Sequence, residues 1–193
     1  MTTRETSVTA SDPIGRAANN PSAFPVNGAA SAAGERQVQY VPAGTGKTYR
    51  SPIDEIKFLI TGEQTFGAFF MAEVSVPPGG GNPPHIHHCE EESFYLQQGT
   101  LTVQVGGQTL TASAGDFICL PRGVAHCFRN TGSVEAKFLL VAAPAGLEAF
   151  FQEGFLPVED PSAPMPPMTE AFMARLFEAA GKCGLEFLAP AQQ

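Results

Sequence analysis

Alternating apolar and polar residues run through the middle of the chain and predict β-strands. Residues 65–76 place alternate apolar side chains on one face, as expected for a strand that borders a hydrophobic core. Residues 53–61 are similarly rich in β-branched and aromatic side chains, and Gly62-Glu-Gln64 separates the two stretches. We therefore expect an early antiparallel hairpin. The core-facing side chains of its second strand would be Phe66, Ala68, Phe70, Ala72, Val74 and Val76.

More strands are predicted at short intervals, with no segment of helical periodicity between them. The pair Gly106-Gly107 lies between two alternating segments and is typical of a two-residue hairpin turn. About eight strands in this arrangement favour an all-β fold, either an antiparallel barrel or a sandwich, over an alternating α/β sheet. The later predicted strands are residues 92–98, 100–105, 108–110, 115–120, 125–129 and 135–143.

The two ends of the chain differ from this central segment. Residues 1–34 are rich in small and polar residues, which bury too little apolar surface to offset the entropy of ordering, so we expect a flexible N-terminal arm. Within it, Phe24-Pro-Val26 is an apolar triplet that can dock on a second subunit. Residues 35–145 are assigned to the β-barrel and residues 146–193 to a C-terminal helical extension.

Helical spacing appears only after residue 145. Apolar residues recur at i, i+3 and i+4 in residues 146–154, and again in residues 168–181. Thr169 is the predicted N-cap of the second helix, and Gly181 is its predicted end. Two arrangements stay open for these helices. They can form a lid over the mouth of the barrel, or they can pack against its outer surface.

The composition describes one acidic, turn-rich domain. The 193 residues include 20 Gly and 17 Pro, whereas charged residues make up only 16%. A net charge of -8 argues against a nucleic-acid or anionic-membrane partner, because both require a basic surface. No stretch approaches the roughly 20 apolar residues of a membrane span, and the first 25 residues contain no signal-like apolar run. We therefore expect a cytoplasmic protein.

The four cysteines, Cys89, Cys119, Cys127 and Cys183, form no C-x-x-C pair. A chain of this size needs no disulfide framework, so the thiols are expected to be reduced. Their predicted role is that of small hydrophobic side chains.

All four histidines lie between residues 79 and 130. His85 and His87 are two residues apart, so on an extended strand their imidazoles leave the same face. Such a pair can bind one metal ion, and Glu92 can reach the same ion if the chain turns after His87. His126 is the remaining candidate for a third imidazole.

His88 and the acidic run at residues 90–92 lie beside these candidate ligands. His88 should point away from His87, so it is expected at the surface or behind the ligands. The carboxylate belongs to an acidic run, and strand alternation selects Glu92 within it, with Glu91 as the alternative.

The stretches that hold the histidines follow two defined patterns. Residues 79–99 fit G-x5-H-x-H-x4-E-x6-G, and residues 115–130 fit G-x5-P-x-G-x2-H-x3-N. The pair resembles the two motifs of the cupin superfamily. Pro84-His-Ile-His-His88, followed by Glu92-Ser-Phe-Tyr-Leu-Gln-Gln-Gly99, is similar to single-domain cupins of the quercetin 2,3-dioxygenase-like kind. The resemblance implies a double-stranded β-helix of jelly-roll topology and a homodimer.

Three imidazoles and one carboxylate suit one divalent transition-metal ion, which can be Fe, Mn, Ni, Co, Cu or Zn. A six-coordinate ion would keep two positions for a substrate oxygen and dioxygen. We therefore expect a mononuclear metal-dependent dioxygenase of an aromatic or enol-type small molecule, with flavonols implied by the resemblance. Glu92 is also the predicted catalytic base. Alternation places Phe94, Leu96 and Phe128 on the predicted substrate-binding face.

Two other functions stay open. The first is a cupin isomerase or lyase acting on a small hydroxy or keto acid, which would need a basic or hydroxyl group to hold the acid. Arg122, Arg129 and Tyr95 are available, but alternation turns Arg129 and Tyr95 outward. The second is a cupin that binds a small molecule without catalysis.

Overall fold

The computed structural model of the chain describes residues 38–188. The predicted N-terminal arm and its Phe24-Pro-Val26 triplet lie outside the described residues. Within the described part the strands form two sheets, and every strand pairing is antiparallel. The strands are β1 (Thr48–Arg50), β2 (Glu55–Ile60), β3 (Phe70–Val76), β4 (His85–His87), β5 (Glu91–Gln98), β6 (Thr100–Val105), β7 (Gln108–Ser113), β8 (Phe117–Leu120), β9 (His126–Arg129), β10 (Ala136–Ala143), β11 (Leu156–Pro157) and β12 (Leu185–Phe187).

The two sheets face each other as the halves of a jelly-roll β-barrel, which is the predicted fold class. The larger sheet has the order β11-β1-β2-β3-β10-β5-β8, and the smaller has the order β12-β4-β9-β6-β7. Side chains alternate between buried and partly exposed along β3 and β10, so each strand presents one face to the interior. In their register Val74 lies opposite Phe138, and both are fully buried in the core.

The predicted early hairpin is correct in position, but its second strand begins later than expected. Residues Gly62–Thr65 form a short helix, α1, and β3 starts only at Phe70. The helix is favoured because the Gln64 side chain accepts a hydrogen bond from the backbone N–H of Thr61 at 2.9 Å. Phe66 ends this helix in the left-handed conformation, with φ 57°, and is 56% exposed. The prediction that Phe66 faces the core is therefore wrong.

Two C-terminal helices follow the barrel, as predicted. They are α2 (Glu148–Gly154) and α3 (Glu170–Cys183). Thr169 caps α3, because its hydroxyl accepts a hydrogen bond from the backbone N–H of Phe172 at 3.1 Å. The helix does not end at Gly181. It continues to Cys183 and stops at Gly184, whose φ of 69° suits a residue without a Cβ.

The segment after α3 completes the smaller sheet. Strand β12 pairs with β4, and Leu185 lies opposite His87 in the register. The C-terminal part therefore contacts the barrel directly, and Phe150 and Phe151 of α2 belong to the same hydrophobic core. None of the helices between residues 38 and 188 has the length and apolar character required to cross a bilayer.

The cysteines are all free, as expected, but they are not core residues. Cys89 and Cys119 are exposed, whereas Cys127 and Cys183 are partly buried. Cys119 lies on β8 between buried Ile118 and Leu120, so strand alternation turns it outward. The predicted role as small hydrophobic side chains therefore does not fit the two exposed thiols.

Candidate metal centre

Three strands bring the four predicted ligands together in the interior of the barrel. His85 and His87 lie on β4, Glu92 lies on β5, and His126 lies on β9 directly opposite His85. All four side chains are buried. One nitrogen or oxygen atom from each residue can be chosen so that all of these atoms lie within 4.8 Å of one another. The cluster therefore joins both sheets at one point.

Hydrogen bonds to the backbone orient two of the imidazoles. Nδ1 of His85 lies 2.9 Å from the carbonyl oxygen of Pro83, and Nδ1 of His126 lies 3.0 Å from that of Val124. A carbonyl oxygen can only accept, so in both rings Nδ1 must carry the proton. The lone pair of each neutral ring is then on Nε2.

The Nε2 atoms face the carboxylate of Glu92. The distance to its Oε2 atom is 3.2 Å from His126 and 3.8 Å from His87. An imidazole lone pair and a carboxylate are both acceptors, so this arrangement is stable when a cation lies between them. The donor set therefore fits one transition-metal ion bound by three nitrogen atoms and one oxygen atom.

The third imidazole has a different partner behind it. Nδ1 of His87 lies 3.5 Å from Oε2 of Glu90, and both side chains are buried. Neither atom has a hydrogen-bond partner within the part of the chain that the structure describes. These two unpaired atoms therefore face each other. Beside His87, the Glu90 carboxylate occupies the position that a backbone carbonyl has beside His85 and His126.

The electrostatic environment shifts the pKa of three of the four candidate ligands. Burial, followed by the neighbouring His126, lowers the pKa of His85 to about 4, so this ring is neutral at pH 7. Burial opposes ionisation of Glu92, but the three histidines outweigh it and lower the pKa of the carboxyl group. Burial opposes a charge on His87 as well, yet Glu90 and Glu92 raise the pKa of that ring.

A cavity of about 520 Å³ opens beside the cluster and is lined by His85, His87 and Glu92. Most of its remaining wall is apolar, with aromatic residues from both sheets and from the two C-terminal helices. The helical residues include Phe150, Phe151, Phe172, Met173 and Leu176. The helices therefore form part of the cavity wall. Of the two predicted arrangements, this position supports a lid over the mouth of the barrel and not packing against its outer surface.

The predicted substrate-binding residues occupy two kinds of position. Phe128 lines the cavity. Phe94 and Leu96 are 1% and 0% exposed in the barrel core and are not among the residues of the cavity wall. Phe94 still contacts Phe128, with a distance of 5.9 Å between ring centroids. Contact of these three residues with a substrate stays a prediction.

The neighbours of the ligands lie where alternation places them. Glu91 is exposed and accepts a hydrogen bond from the backbone N–H of Arg122 at 2.9 Å, so it does not face the cluster. His88 is exposed, and its ring lies 2.8 Å from the carboxylate of Glu186. Sequence reasoning did not single out Glu90 behind His87 or Asp54 in the cavity wall.

Fold and site together define a jelly-roll barrel with a buried candidate metal centre. Residues 72–142 match a family model described as "Cupin domain". This segment contains all four candidate ligands, and the match supports the cupin superfamily for this chain.

Curated relatives match at modest identity. Germin-like protein 5-1 of rice is 35% identical over 49% of this chain and 45% of the relative. Quercetin 2,3-dioxygenase of Bacillus subtilis is 29% identical over 59% and 36%, and oxalate oxidase 1 of barley is 31% identical over 57% and 58%. The chain thus spans between about a third and three fifths of the length of these relatives.

Solved structures share the fold. A predicted oxalate decarboxylase of Thermotoga maritima has a TM-score of 0.50 and 24% identity, covering 53% of this chain and 95% of that protein. KdgF from a Halomonas species has a TM-score of 0.50 and 17% identity, covering 56% and 94%. These structures support the barrel and not a particular activity.

Proposed function

We propose that this protein is a mononuclear metal-dependent dioxygenase that acts on an aromatic or enol-type small molecule of the flavonol class. The observation that carries the proposal is the position of the cluster, three buried histidines and Glu92 at the wall of a largely apolar cavity. Similarity to the quercetin 2,3-dioxygenase of Bacillus subtilis supports the substrate class.

The cluster would hold one divalent ion through Nε2 of the imidazoles and the carboxylate of Glu92. A redox-active ion held there would supply the chemistry of dioxygen activation, and both oxygen atoms would enter the product without an external reductant. The residues of the chain have separate tasks. They orient the substrate, exclude water and accept a proton.

Glu92 is the proposed base. A flavonol-type substrate binds a cation best as its anion, so its enolic hydroxyl must lose a proton. The three imidazoles would use their Nε2 lone pairs to bind the ion, so they cannot accept the proton. A carboxylate has a second oxygen that can accept a hydrogen bond. The lowered pKa of Glu92 keeps it ionised at neutral pH but also weakens it as a base. A short hydrogen bond to the incoming hydroxyl would compensate for this in the transition state.

The cavity wall supports an aromatic substrate. Phe128 from the barrel, with Phe150 and Phe172 from the helices, offers ring faces and edges for stacking. An apolar wall also excludes water, which protects an activated substrate from side reactions. The volume of about 520 Å³ lies within the range typical of small-molecule sites.

One observation favours a second candidate, a lyase or isomerase of a small hydroxy or keto acid. Such an enzyme needs a group that holds a carboxylate, and Arg129 is among the residues around the cavity. The support is limited to this residue, because Arg129 is itself exposed and Tyr95 is 46% exposed on the outer face of β5, away from the cavity. A binding protein without catalysis is the third alternative, but the complete donor set argues against it.

We also infer a cytoplasmic homodimer. Free cysteines suit a reducing compartment. Exposed Tyr95 and Phe117 lie opposite each other on β5 and β8, and β8 is an edge strand, so this face suits contact with a second copy. Light scattering at several protein concentrations measures the oligomeric state.

Dioxygen uptake tests the proposed activity. The protein would be purified without added metal, analysed for its elements, and then reconstituted separately with each candidate ion. We expect uptake with a flavonol and a redox-active ion, and both atoms of ¹⁸O₂ in the products. Full zinc occupancy in the purified protein, with no uptake after reconstitution with any redox-active ion, would favour the lyase or isomerase alternative.

A further inference from the structure

Asp54 is a buried carboxyl group in the wall of the same cavity, and the proposed reaction does not use it. The residue is 5% exposed, and it lies two positions before Ile56 at the start of β2. Ile56 faces the barrel interior, and the burial of Asp54, directly before the first residue of β2, shows that it points inward as well. Both residues line the cavity.

The hydrogen bonds of Asp54 leave one oxygen unpaired. The hydroxyl of Ser51 donates to Oδ1, and the same hydroxyl oxygen accepts from the backbone N–H groups of Ile53 and Asp54 at 3.1 and 3.2 Å. No residue between 38 and 188 donates to Oδ2. Oδ2 keeps some solvent contact, because the buried side-chain atoms without a partner in residues 38–188 are His87 Nδ1 and Glu90 Oε2. In the cavity wall, this oxygen is therefore free to accept a hydrogen bond from a bound ligand.

Among residues 38–188, no charged side chain offsets the burial of the Asp54 carboxyl group. Loss of solvation raises the pKa of Asp54 from 3.8 to about 6, and only the hydrogen bond from Ser51 opposes the shift. A carboxyl group that only closed a turn would not need to be turned into an apolar cavity.

The register of the sheets places Asp54 far from the candidate metal centre. Glu92 lies opposite Ala142, which lies opposite Phe70 at the first residue of β3. Glu55, the neighbour of Asp54, lies opposite Ser75 near the end of the same strand. The backbone positions of Glu92 and Glu55 are therefore offset by about five residues along the strand direction, on the order of 15 Å.

We propose that Asp54 accepts a hydrogen bond from a hydroxyl or amino group at the end of the substrate remote from the metal centre. The inference rests on the proposed function and narrows its substrate class. The substrate is elongated and largely apolar, with a metal-binding oxygen at one end and a hydrogen-bond donor at the other. Among flavonols, this selects those with hydroxyl groups on the outer phenyl ring.

Binding of two probes tests this assignment. The first probe is a flavonol with two hydroxyl groups on the outer phenyl ring, and the second is the analogue whose outer ring is unsubstituted. Zinc-loaded protein without dioxygen prevents turnover, and calorimetry then gives the Kd of each probe. We expect wild type to bind the hydroxylated probe roughly 10- to 100-fold more tightly, the usual effect of a hydrogen bond to a charged group.

Substitutions at Asp54 should remove this preference. Asp54→Asn keeps the shape of the side chain and an acceptor for the Ser51 hydroxyl, so it should fold, and it should lose most of the preference. Asp54→Leu should remove it completely. Both variants should bind the unsubstituted probe as wild type does. Asp116→Asn is the control, because Asp116 is an exposed carboxylate in a turn.

The outcomes separate this inference from the proposed function. Equal affinity of wild type for the two probes, or an unchanged preference in Asp54→Asn, would overturn the role of Asp54 while the dioxygenase proposal stands. Binding of neither probe to wild type would overturn both. Loss of affinity for both probes in Asp54→Asn would show that the residue only supports the cavity wall.

Discussion

Nδ1 of His87 lies 3.5 Å from Oε2 of Glu90, and within the described chain neither atom has another partner. The Nδ1 atoms of His85 and His126 face backbone carbonyls instead. A carboxylate behind a ligand imidazole fixes the ring tautomer and makes Nε2 a stronger donor to a metal than a neutral carbonyl does. One of the three imidazoles in the cluster is therefore held differently from the other two.

Replacing Glu90 should weaken metal binding. We expect Glu90→Ala to lower the affinity for Co²⁺ roughly 10- to 100-fold, and Glu90→Gln to have a smaller effect because its amide oxygen can still accept from Nδ1. Competition with a coloured chelator measures the affinity. In metal-free protein, at a pH above the raised pKa of His87, long-range ¹H–¹⁵N spectra should show the Nδ1–H tautomer of this ring in wild type and its loss in Glu90→Ala.

Glu91→Gln is the matched control for this experiment, since Glu91 is the exposed neighbour of Glu90. Equal Co²⁺ affinities for Glu90→Ala and Glu91→Gln would show that Glu90 does not position His87.

A variant that lacks a ligand histidine and a variant that lacks a surface histidine should differ in the amount of bound metal. His126→Ala removes a buried nitrogen donor that lies 3.2 Å from Glu92, so bound metal should fall sharply. His88→Ala removes an exposed ring that pairs with Glu186 and should leave one equivalent of metal. Elemental analysis after gel filtration measures both. A full equivalent in both variants would show that His126 is not a ligand.

Asp54 should make the metal-free protein less stable as the pH rises. Its pKa is about 6 in the folded protein and 3.8 ordinarily, so between these values the folded state binds more protons than the unfolded state. Stability from this group is therefore present below pH 4 and lost as the pH rises through 6. Asp54→Asn should be more stable than wild type at pH 8 by roughly 2–3 kcal/mol, with little difference at pH 4.

Urea denaturation at the two pH values measures this difference. A constant difference between wild type and Asp54→Asn from pH 4 to 8 would mean that the carboxyl group is not desolvated in the folded protein. The stabilised variant is also the one expected to lose substrate preference, as often occurs when a costly buried group serves binding.

Local patterns in the sequence predict the long strands and the ligand cluster. Alternation identifies β10 and most of β3, because side chains on a half-buried strand have a period of two residues. The spacing of His85 and His87 similarly places two imidazoles on one face, and both side chains are buried in the structure.

Features that depend on distant partners could not be predicted in this way. Strands β1, β11 and β12 have only two or three residues, and each exists because another strand pairs with it. Glu90 and Asp54 are acidic residues in polar segments, and acidic residues are usually exposed. The tertiary fold decides that both are buried, one behind His87 and the other in the cavity wall.

Glu92 should act as the base that takes the enolic proton of the substrate. Glu92→Gln keeps the shape of the side chain and one oxygen donor, so it should retain part of the bound metal and bind the unsubstituted flavonol probe. The amide cannot take the enolic proton, so turnover per bound metal should fall by about 100-fold or more, the usual scale for a lost general base. Expressing the rate per metal ion separates catalysis from occupancy. If Glu92 is only a ligand, activity will fall in proportion to metal content, and restoring occupancy with excess metal will restore the rate. Near-normal turnover per metal ion in Glu92→Gln would therefore exclude Glu92 as the base and leave it with a role in metal binding alone.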